Sequence, residues 1–329
     1  MIGTVDSVET STTGRLVGRS GLLRHAMLPL LLAAEIVFFS LASSTFLTTN
    51  NLSNVVINSS DLAVIAAGLT LVVLLGGIDV STGSMLGVIA WLVATLSQHG
   101  TAPVLVIGAA VLAGAVLGSL NGFLIAFGRV SPIIATLGTS AIFSTLLFLL
   151  WNSTDVFAAP VSPLLGTGRV GGWPLVAVVV LAVFALLRYL SRQRAYGWHV
   201  YAIGNDREGA RLLGVKTTRV VFVTYLLLGG CVGLAAVIYA GRVGVVQASS
   251  GSELTLSAVA AVVVGGTSIL GGEGSVLKTL GGLLFVAVLQ NGVVLIGVPP
   301  LWNGVLVGVA VALAVWLDIA TRRGKGRRR

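Results

Sequence analysis

The sequence predicts an all-α, polytopic integral membrane protein, on three observations of composition and pattern. Of its 329 residues, 56% are hydrophobic and only 9% are charged, and the mean hydropathy is +1.01. A soluble domain carries about 25% charged residues, so most of this chain's surface must face lipid. The apolar residues also form long runs separated by short polar stretches, as membrane-spanning helices require.

About ten apolar runs are candidate membrane spans, and a count of eight would place both termini on the same side as well. The runs cover 28–46, 62–76, 85–98, 102–127, 133–151, 173–190, 220–240, 254–270, 276–298 and 301–319. Several are shorter than the roughly 20 residues of a straight crossing. Glycine-rich sequence predicts broken helices near 76–84 and 265–274, where irregular backbone is tolerated inside protein or along a cavity.

The chain is predicted to form one transmembrane domain over 25–320, with polar ends. Residues 1–24 read as a disordered basic cytoplasmic arm and 321–329 as a basic cytoplasmic tail. The run over 28–46 is longer than the apolar part of a usual signal peptide, which favours a retained first span.

The distribution of basic residues predicts the orientation. Seven Lys and Arg residues lie in the loop 188–219 and six in the tail, whereas ten spans leave only Arg169 and Arg242 outside. Such an excess marks the cytoplasmic side of a membrane protein. The net charge of +9 is therefore explained by topology and lipid contact, and no nucleic-acid partner is expected.

The sequence offers no set of residues for catalysis, metal binding or nucleotide binding. The string closest to a phosphate-binding loop, GEGSVLKT, has Leu277 where the loop needs glycine. The three histidines are not spaced as metal ligands, and no Ser/His/Asp or Cys/His set is apparent. We therefore predict a protein that is not an enzyme and that binds no cofactor or metal itself.

Four acidic residues lie in or beside apolar runs, where a charge costs about 2.5–3.5 kcal/mol without water or a partner. Asp79, in GGIDVSTGS, is either a polar pivot on a translocation path or a helix cap. Asp61 is expected to cap the span that follows it, and Glu35 to be paired inside the bundle. Glu253 is either a contact for an outside partner or a charge favoured by a helix N-terminus.

The cytoplasmic loop contains the signals of a short helix over 207–213. Asp206 is a suitable N-cap, Glu208 lies in the first turn, and Gly214 is a natural stop. Two turns are not stable alone in water, so the helix is expected to dock into a groove. A solvated connector is the other interpretation.

Glycines at four-residue spacing predict close packing between helices. Gly114, Gly118 and Gly122 follow this pattern, as do Gly229 and Gly233. Such spacing lets two backbones approach closely, and we favour packing within the chain over a dimer seam.

Four stretches, in the same order, resemble the permease subunit of ribose-type ABC sugar importers. They are GGIDVSTGS, NGFLIAFGRVSPIIATLGT, YAIGNDREGARLLGV and SELTLSAVAAVVVGGTSILGGEGS, and the match extends over roughly 50–318. The resemblance implies that two permease subunits, identical or different, enclose a path for a monosaccharide such as a ribose-like pentose. An extracytoplasmic sugar-binding protein would deliver the cargo, and a separate cytoplasmic ATPase would use ATP. The location implied is the bacterial inner membrane.

The resemblance also implies roles for particular residues. Coupling to the ATPase through 201–215 would involve Asp206, Arg207, Glu208, Gly209, Ala210, Arg211 and Gly214. The translocation path and its broken helices would involve Asp79, Ser81, Thr82, Gly83, Ser84, Asn121, Thr136, Thr267 and Ser268. Glu253 would contact the binding protein. Gly209 stands where the family usually has Ala, which weakens local helix propensity by about 1 kcal/mol. The proline usual in the Q-P-x-x-G string before Glu253 is absent, since Ala248 takes its place.

Two other interpretations stay open at this point. An ion-coupled secondary transporter would use Asp79 as its coupling acid. An ABC permease could also carry a non-sugar cargo, such as an autoinducer or a branched-chain amino acid.

Overall fold

The computed structural model describes residues 14–158, 161 and 165–313, and these form a helical bundle with four very short strands. The helices are α1 (Gly14–Ala42), α2 (Thr49–Asn58), α3 (Ser60–Leu74), α4 (Thr82–Gln98), α5 (Pro103–Ala126), α6 (Pro132–Trp151), α7 (Val176–Gln193), α8 (Ala195–Asn205), α9 (Arg207–Leu212), α10 (Thr217–Val243), α11 (Ser252–Val264), α12 (Val276–Leu295) and α13 (Pro300–Leu313). The strands are β1 (Val156–Phe157), β2 (Arg169–Val170), β3 (Trp173–Pro174) and β4 (Val245–Val246).

All ten predicted runs fall on helices, namely α1, α3 to α7 and α10 to α13. The all-α fold and the two predicted breaks are confirmed, since 75–81 and 265–275 are not helical. The predicted disordered arm overlaps α1, which is already helical from Gly14. Residues 1–13 and the predicted tail lie outside the described residues.

Five helices are long and apolar enough to cross a bilayer by themselves: α5, α6, α7, α10 and α12. The pair formed by α2 and α3, which bends by 47° between Asn58 and Ser60, passes the same test as one broken span. Shorter apolar helices include α4, α11 and α13. The chain is thus a polytopic helical membrane protein, and the number and direction of its crossings stay predictions.

Helix α3 is the centre of the bundle, and every one of its residues is buried. A helix that is apolar all round has no preferred water-facing side and is stable only when other helices surround it. Its few polar groups are paired inside the bundle: Thr70 and Thr279 of α12 share a hydrogen bond of 2.7 Å between their hydroxyls. The packing therefore holds α3 fixed while its two ends connect to the polar segments described below.

Helices α5 and α10 pack backbone against backbone along a glycine seam. A Cβ at Gly114 would meet the carbonyl of Gly229, and a Cβ at Gly118 would lie 2.8 Å from the Cα of Gly229. A Cβ at Gly233 would meet the carbonyl of Ala110. The small-residue spacing therefore serves packing within the chain, as the sequence predicted, because no side chain fits between the two helices.

The loops gather at two opposite ends of the bundle. At one end, the Gln98 side chain donates to the Phe157 carbonyl (2.9 Å), and β1 pairs with β4. At the other end, the Gly272 N–H donates to the Leu74 carbonyl (2.9 Å). Helix α5 begins next to the first group of loops and ends at Phe127, whose ring contacts Phe222 near the start of α10. We refer to these as the outer end and the inner end, after the orientation that the basic residues predict.

Candidate functional site

The break between α3 and α4 is organised by Asp79, whose side chain is fully buried. Its Oδ1 accepts hydrogen bonds from the backbone N–H of Ser81 (2.8 Å) and from the Ser81 hydroxyl (2.6 Å). Its Oδ2 accepts from the Asn121 amide of α5 (3.3 Å). Asp79 therefore closes the turn that starts α4 and ties this turn to a neighbouring helix.

Neighbouring helices satisfy the backbone that the break leaves free. The Thr136 hydroxyl of α6 accepts from the Val80 N–H (3.2 Å) and donates to the Pro132 carbonyl in its own helix (2.9 Å). The Asn121 amide also donates to the Ser81 hydroxyl (2.7 Å). Unpaired backbone groups cost several kcal/mol away from water, so these side chains allow α3 and α4 to be separate helices. Asn121 and Thr136 thus join the Asp79 cluster, where the sequence placed them.

A recess of about 200 Å³ opens beside this cluster, between α4, α6 and the start of α11. Seven of its lining residues carry hydroxyls: Ser84, Ser140, Ser144, Ser249, Ser250, Ser252 and Thr255. The hydroxyls of Ser84 and Ser140 are 3.1 Å apart, and the Gly83 N–H donates to the Thr255 hydroxyl (2.9 Å). Among the described residues, the nearby Thr82 hydroxyl is buried without a hydrogen-bond partner. We call this cavity the hydroxyl recess.

Sequence reasoning found only Ser84 of these lining residues. The others come from segments far apart in the chain, on α6 and in the loop 244–251. Ser140 and Ser144 recur at helical spacing in α6, which also contains three threonines, and four hydroxyl residues fall within 249–255. Those two patterns were the available signal, but neither shows that the two segments meet.

Glu253, the predicted contact for a soluble partner outside, has an exposed side chain, and that role stays a prediction. Glu253 sits in the first turn of α11, two residues after Gly251. A Cβ on Gly251 would lie 2.5 Å from the Gly83 carbonyl oxygen. From Gly83, α4 continues to Gln98, about 22 Å at 1.5 Å per residue, before it reaches the outer loops. Arg242, at the end of α10, is close enough for its charge to interact with that of Glu253.

The second break, over 265–275, lies at the inner end and does not belong to the Asp79 cluster. The Ser268 N–H bonds to the Glu273 carbonyl (2.8 Å), and its hydroxyl accepts from the Leu270 N–H (3.2 Å). The Thr267 hydroxyl is buried without a hydrogen-bond partner in the described part of the chain. Thr267 and Ser268 therefore shape this loop, and neither lines the hydroxyl recess.

The predicted helix in the loop 188–219 is present as α9. The Asp206 carboxylate accepts from the N–H groups of Glu208 and Gly209, both at 3.0 Å, and Gly214 follows with a positive φ of 85°. Exposed Arg211 forms a two-point ion pair with Glu208, whose hydrogen bond and charge raise the pKa of Arg211. Capping and stop signals thus act where they were expected.

Most of α9 faces away from the bundle. Only Ala210 is buried, whereas Leu212 and Leu213 are 76% and 86% exposed. Two adjacent leucines this exposed at a water-facing position are typical of an interaction surface. The sequence prediction named the charged residues around them and missed the leucines.

Gly209, which departs from the family's usual Ala, lies against the N-cap. A Cβ at this position would lie 2.6 Å from Asp206 Oδ2. The glycine therefore leaves room for the capping carboxylate, which offsets part of the lower helix propensity that was expected to weaken the helix.

Helix α9 is attached to the central helix through α8. A Cβ on Gly204, at the end of α8, would meet the carbonyl of Leu74 and come within 2.5 Å of the Gly272 nitrogen. A Cβ on Gly272 would meet the side chain of Asn205, which precedes the Asp206 cap. The end of α3, the second break and the start of α9 therefore pack together, with Gly204 against backbone and Gly272 against the Asn205 side chain. We call this three-way contact the inner junction.

A cleft of about 520 Å³ opens beside α9 and is basic. Its lining includes Arg211, Lys216 and Arg219, and its apolar part includes Phe127 and Phe222. Together with the exposed leucines, it gives the inner face both apolar and positively charged features. An acidic or mixed protein surface would complement such a face.

The remaining two buried acids differ from the expectations. Asp61, fully buried, accepts from the Leu62 N–H (2.8 Å) and pairs with Arg242 at the end of α10 (2.6 Å). The sequence prediction of a local role was incomplete, since it missed Arg242. Glu35 was expected to be paired, but within the described residues both of its buried carboxylate oxygens are without a hydrogen-bond partner.

Comparison with known proteins gives consistent matches over nearly the whole chain. Residues 51–315 match the family described as the permease component of branched-chain amino acid transport systems. The ribose import permease protein RbsC of Bacillus subtilis is 35% identical over 86% of this chain and 89% of its own length. The RbsC protein of Escherichia coli K12 is 32% identical over 90% and 93%, respectively. The autoinducer 2 import permease LsrC of Salmonella typhi is 32% identical over 88% and 83%. No solved structure matches the chain.

Proposed function

Since the chain belongs to the family of permease components described for branched-chain amino acid transport systems, we propose that it is the membrane subunit of an ABC importer for a monosaccharide. One observation carries the choice of cargo: the ribose import permeases of two distant bacteria are similar to this chain over more than 85% of its length. A ribose-like pentose is therefore the first cargo to test, and a bacterial inner membrane is the expected location.

The polar break and the hydroxyl recess support a path for an uncharged, hydroxyl-bearing solute. The side chains of the break and of the recess donate and accept hydrogen bonds, and Ser81 and Asn121 hold the Asp79 carboxylate in place. Because Asp79 is fully buried and already holds three hydrogen bonds, it serves as a structural pin of the break. We propose that this pin keeps α3 and α4 separate while the path changes its access.

The inner face supports a docking site for a separate ATPase. Helix α9 presents Leu212 and Leu213 beside a basic cleft, and it is capped at Asp206 as a preformed unit. A two-turn helix stays folded only when something holds it, and here Ala210 is its sole buried residue. We propose that a groove of the ATPase holds the outer face of α9, and that the inner junction passes its movement to α3.

The other expected partners follow from the importer class. An extracytoplasmic sugar-binding protein would deliver the cargo to the outer end, and a second permease subunit would complete the path. Selectivity would then lie mainly in the binding protein, since the recess offers neutral hydroxyls rather than a dense polar site.

An ion-coupled secondary transporter is not favoured, because the relatives are import permeases and α9 would have no partner to dock. The autoinducer 2 permease is about as similar to this chain as the ribose permeases are, so an experiment must decide between the two cargoes. The test is uptake of labelled ribose and labelled autoinducer 2 into proteoliposomes that contain this chain, its ATPase and its binding protein. We expect ATP-dependent ribose uptake only in the complete set. Uptake of neither compound by the complete set would contradict the proposal.

A further inference from the structure

The hydroxyl recess contains serines whose hydrogen-bonding capacity the protein does not use. Elsewhere in the helices, Ser40, Ser119 and Ser191 donate to a carbonyl in the preceding turn, as is usual in apolar helices. Among the described residues, the hydroxyls of Ser144 and Ser249, which line the recess, form no such bond. A hydroxyl can donate once and accept twice, so these groups are free to bind something in the recess.

The backbone beside the recess is irregular, and its distance from the outer end of α4 calls for a physical explanation. The loop that contains Ser249 and Ser250 is not helical, yet Gly251 packs against Gly83, about 22 Å of helix away from the outer end of α4. Irregular backbone at membrane depth is tolerated only when it is buried in protein or lines a water-filled cavity. Ser249 and Ser252 are exposed, so the second condition applies here.

Glu253 gives a third, independent indication of water. Its side chain is exposed, and its charge interacts with that of Arg242, whose ion-pair partner is the buried Asp61. The Glu253 carboxylate also lies 3.5 Å from the hydroxyl of Ser252, which lines the recess, and an exposed carboxylate beside apolar helices needs water. The recess and the rim at Glu253 are therefore parts of one aqueous space.

We propose that the hydroxyl recess is a water-filled transit site in which a small, uncharged polyol binds on its way through the membrane, with Glu253 accepting hydrogen bonds at its rim. This inference rests on the proposed import function and names the residues that handle the cargo. The volume of about 200 Å³ is below the roughly 300–1,000 Å³ of sites for drug-sized ligands, so it suits a small solute. Neutral hydroxyls bind a sugar weakly enough to release it, and the Glu253 charge disfavours anions.

Cysteine labelling tests the proposal, because Cys231 is the only native cysteine. In a Cys231→Ala background, Ser144→Cys is compared with Ile142→Cys on the same helix. Ile142 is 60% exposed but does not line the recess. A hydrophilic, membrane-impermeant thiol reagent attacks the thiolate, which forms only where water is present. We expect Ser144→Cys to react at least about tenfold faster than Ile142→Cys.

The second arm measures protection by cargo in the assembled transporter, with ATPase, binding protein and ATP. We expect D-ribose to slow labelling of Ser144→Cys several-fold and ribose 5-phosphate to have no effect. Ser249→Cys repeats both arms from the loop side of the recess, in case Ser144→Cys does not fold. Equal labelling of Ser144→Cys and Ile142→Cys would overturn the aqueous recess. Fast labelling without protection, in a complex that imports ribose, would overturn the transit site. Failure of the unaltered complex to import any sugar would instead contradict the proposed function, while the labelling contrast would still decide whether the recess is aqueous.

Discussion

Substitution of Gly118 by Ala should destabilise the protein, whereas the same substitution at Gly108 on the same helix should not. Gly118 is buried against α10, and its new Cβ would lie 2.8 Å from the Cα of Gly229 and 3.0 Å from the Gly229 nitrogen. Both atoms belong to backbone, so the whole of α10 would have to move. At Gly108 nothing lies within 4 Å of the new Cβ.

The expected magnitude follows from two opposing effects. Gly→Ala within a helix is favourable by about 1 kcal/mol, and this gain is common to both variants. Overpacking adds a cost of about 1–3 kcal/mol at Gly118 alone. The two variants should therefore differ by about 1–3 kcal/mol, with Gly108→Ala the more stable.

Thermal unfolding of the purified protein in detergent measures this difference. At about 2.1 cal/mol/K per residue, the entropy of unfolding of a 329-residue chain is about 0.7 kcal/mol/K, so one kcal/mol corresponds to about 1.4 °C. The two variants should therefore differ by roughly 1.5–4 °C in Tm. Equal Tm values, or a lower Tm for Gly108→Ala, would refute the close backbone packing of α5 on α10.

Three further predictions concern the buried ion pair, the docking surface and the inner junction. Asp61→Ala leaves the partly buried Arg242 without its ion-pair partner and should cost about 3 kcal/mol of stability, seen as a fall in Tm. The double variant with Arg242→Leu should recover most of this loss, and no recovery would argue against the pairing. Leu213→Ser should weaken ATPase binding at least about tenfold in a pull-down titration, because burying a leucine contributes about 1.5–3 kcal/mol. The Tm of the protein should stay unchanged. Unchanged binding would show that α9 is not part of the interface. Gly204→Ala forces a methyl group against the Leu74 carbonyl. This variant should import less sugar per ATP hydrolysed, although the ATPase still binds. An unchanged ratio of sugar imported to ATP hydrolysed would show that the inner junction does not transmit motion.

Features set by local sequence were predictable. Helix α9 is defined by Asp206 and Gly214, which lie within nine residues of each other and need no distant partner to act. The break at Asp79 was predictable for the same reason, since Asp79 and Ser81 form the turn between themselves. The glycine spacing on α5 likewise indicated a close helix contact before the contacting helix was known.

Features set by distant contacts were not predictable. Helix α2 reads as a polar loop, TNNLSNVVIN, yet Asn51 is buried because it exchanges hydrogen bonds with Asn291 of α12, 240 residues away (2.9 and 3.0 Å). The hydroxyl recess needs α4, α6 and α11 to converge, and no spacing in the sequence reports that convergence. The place of Glu253 beside the recess likewise depends on Gly251 meeting Gly83, a contact between distant segments that the sequence does not show.

Ribose uptake into proteoliposomes with every ion gradient collapsed by ionophores tests the central claim most directly. The vesicles contain this chain with its ATPase and binding protein, or this chain alone, and each set is compared with an Asp79→Asn version. Because Asp79 is a structural pin in this account, the complete set should import ribose with ATP alone, and Asp79→Asn should keep at least part of that uptake. Uptake by this chain alone that requires an ion gradient and is abolished by Asp79→Asn would contradict the account and establish a secondary transporter.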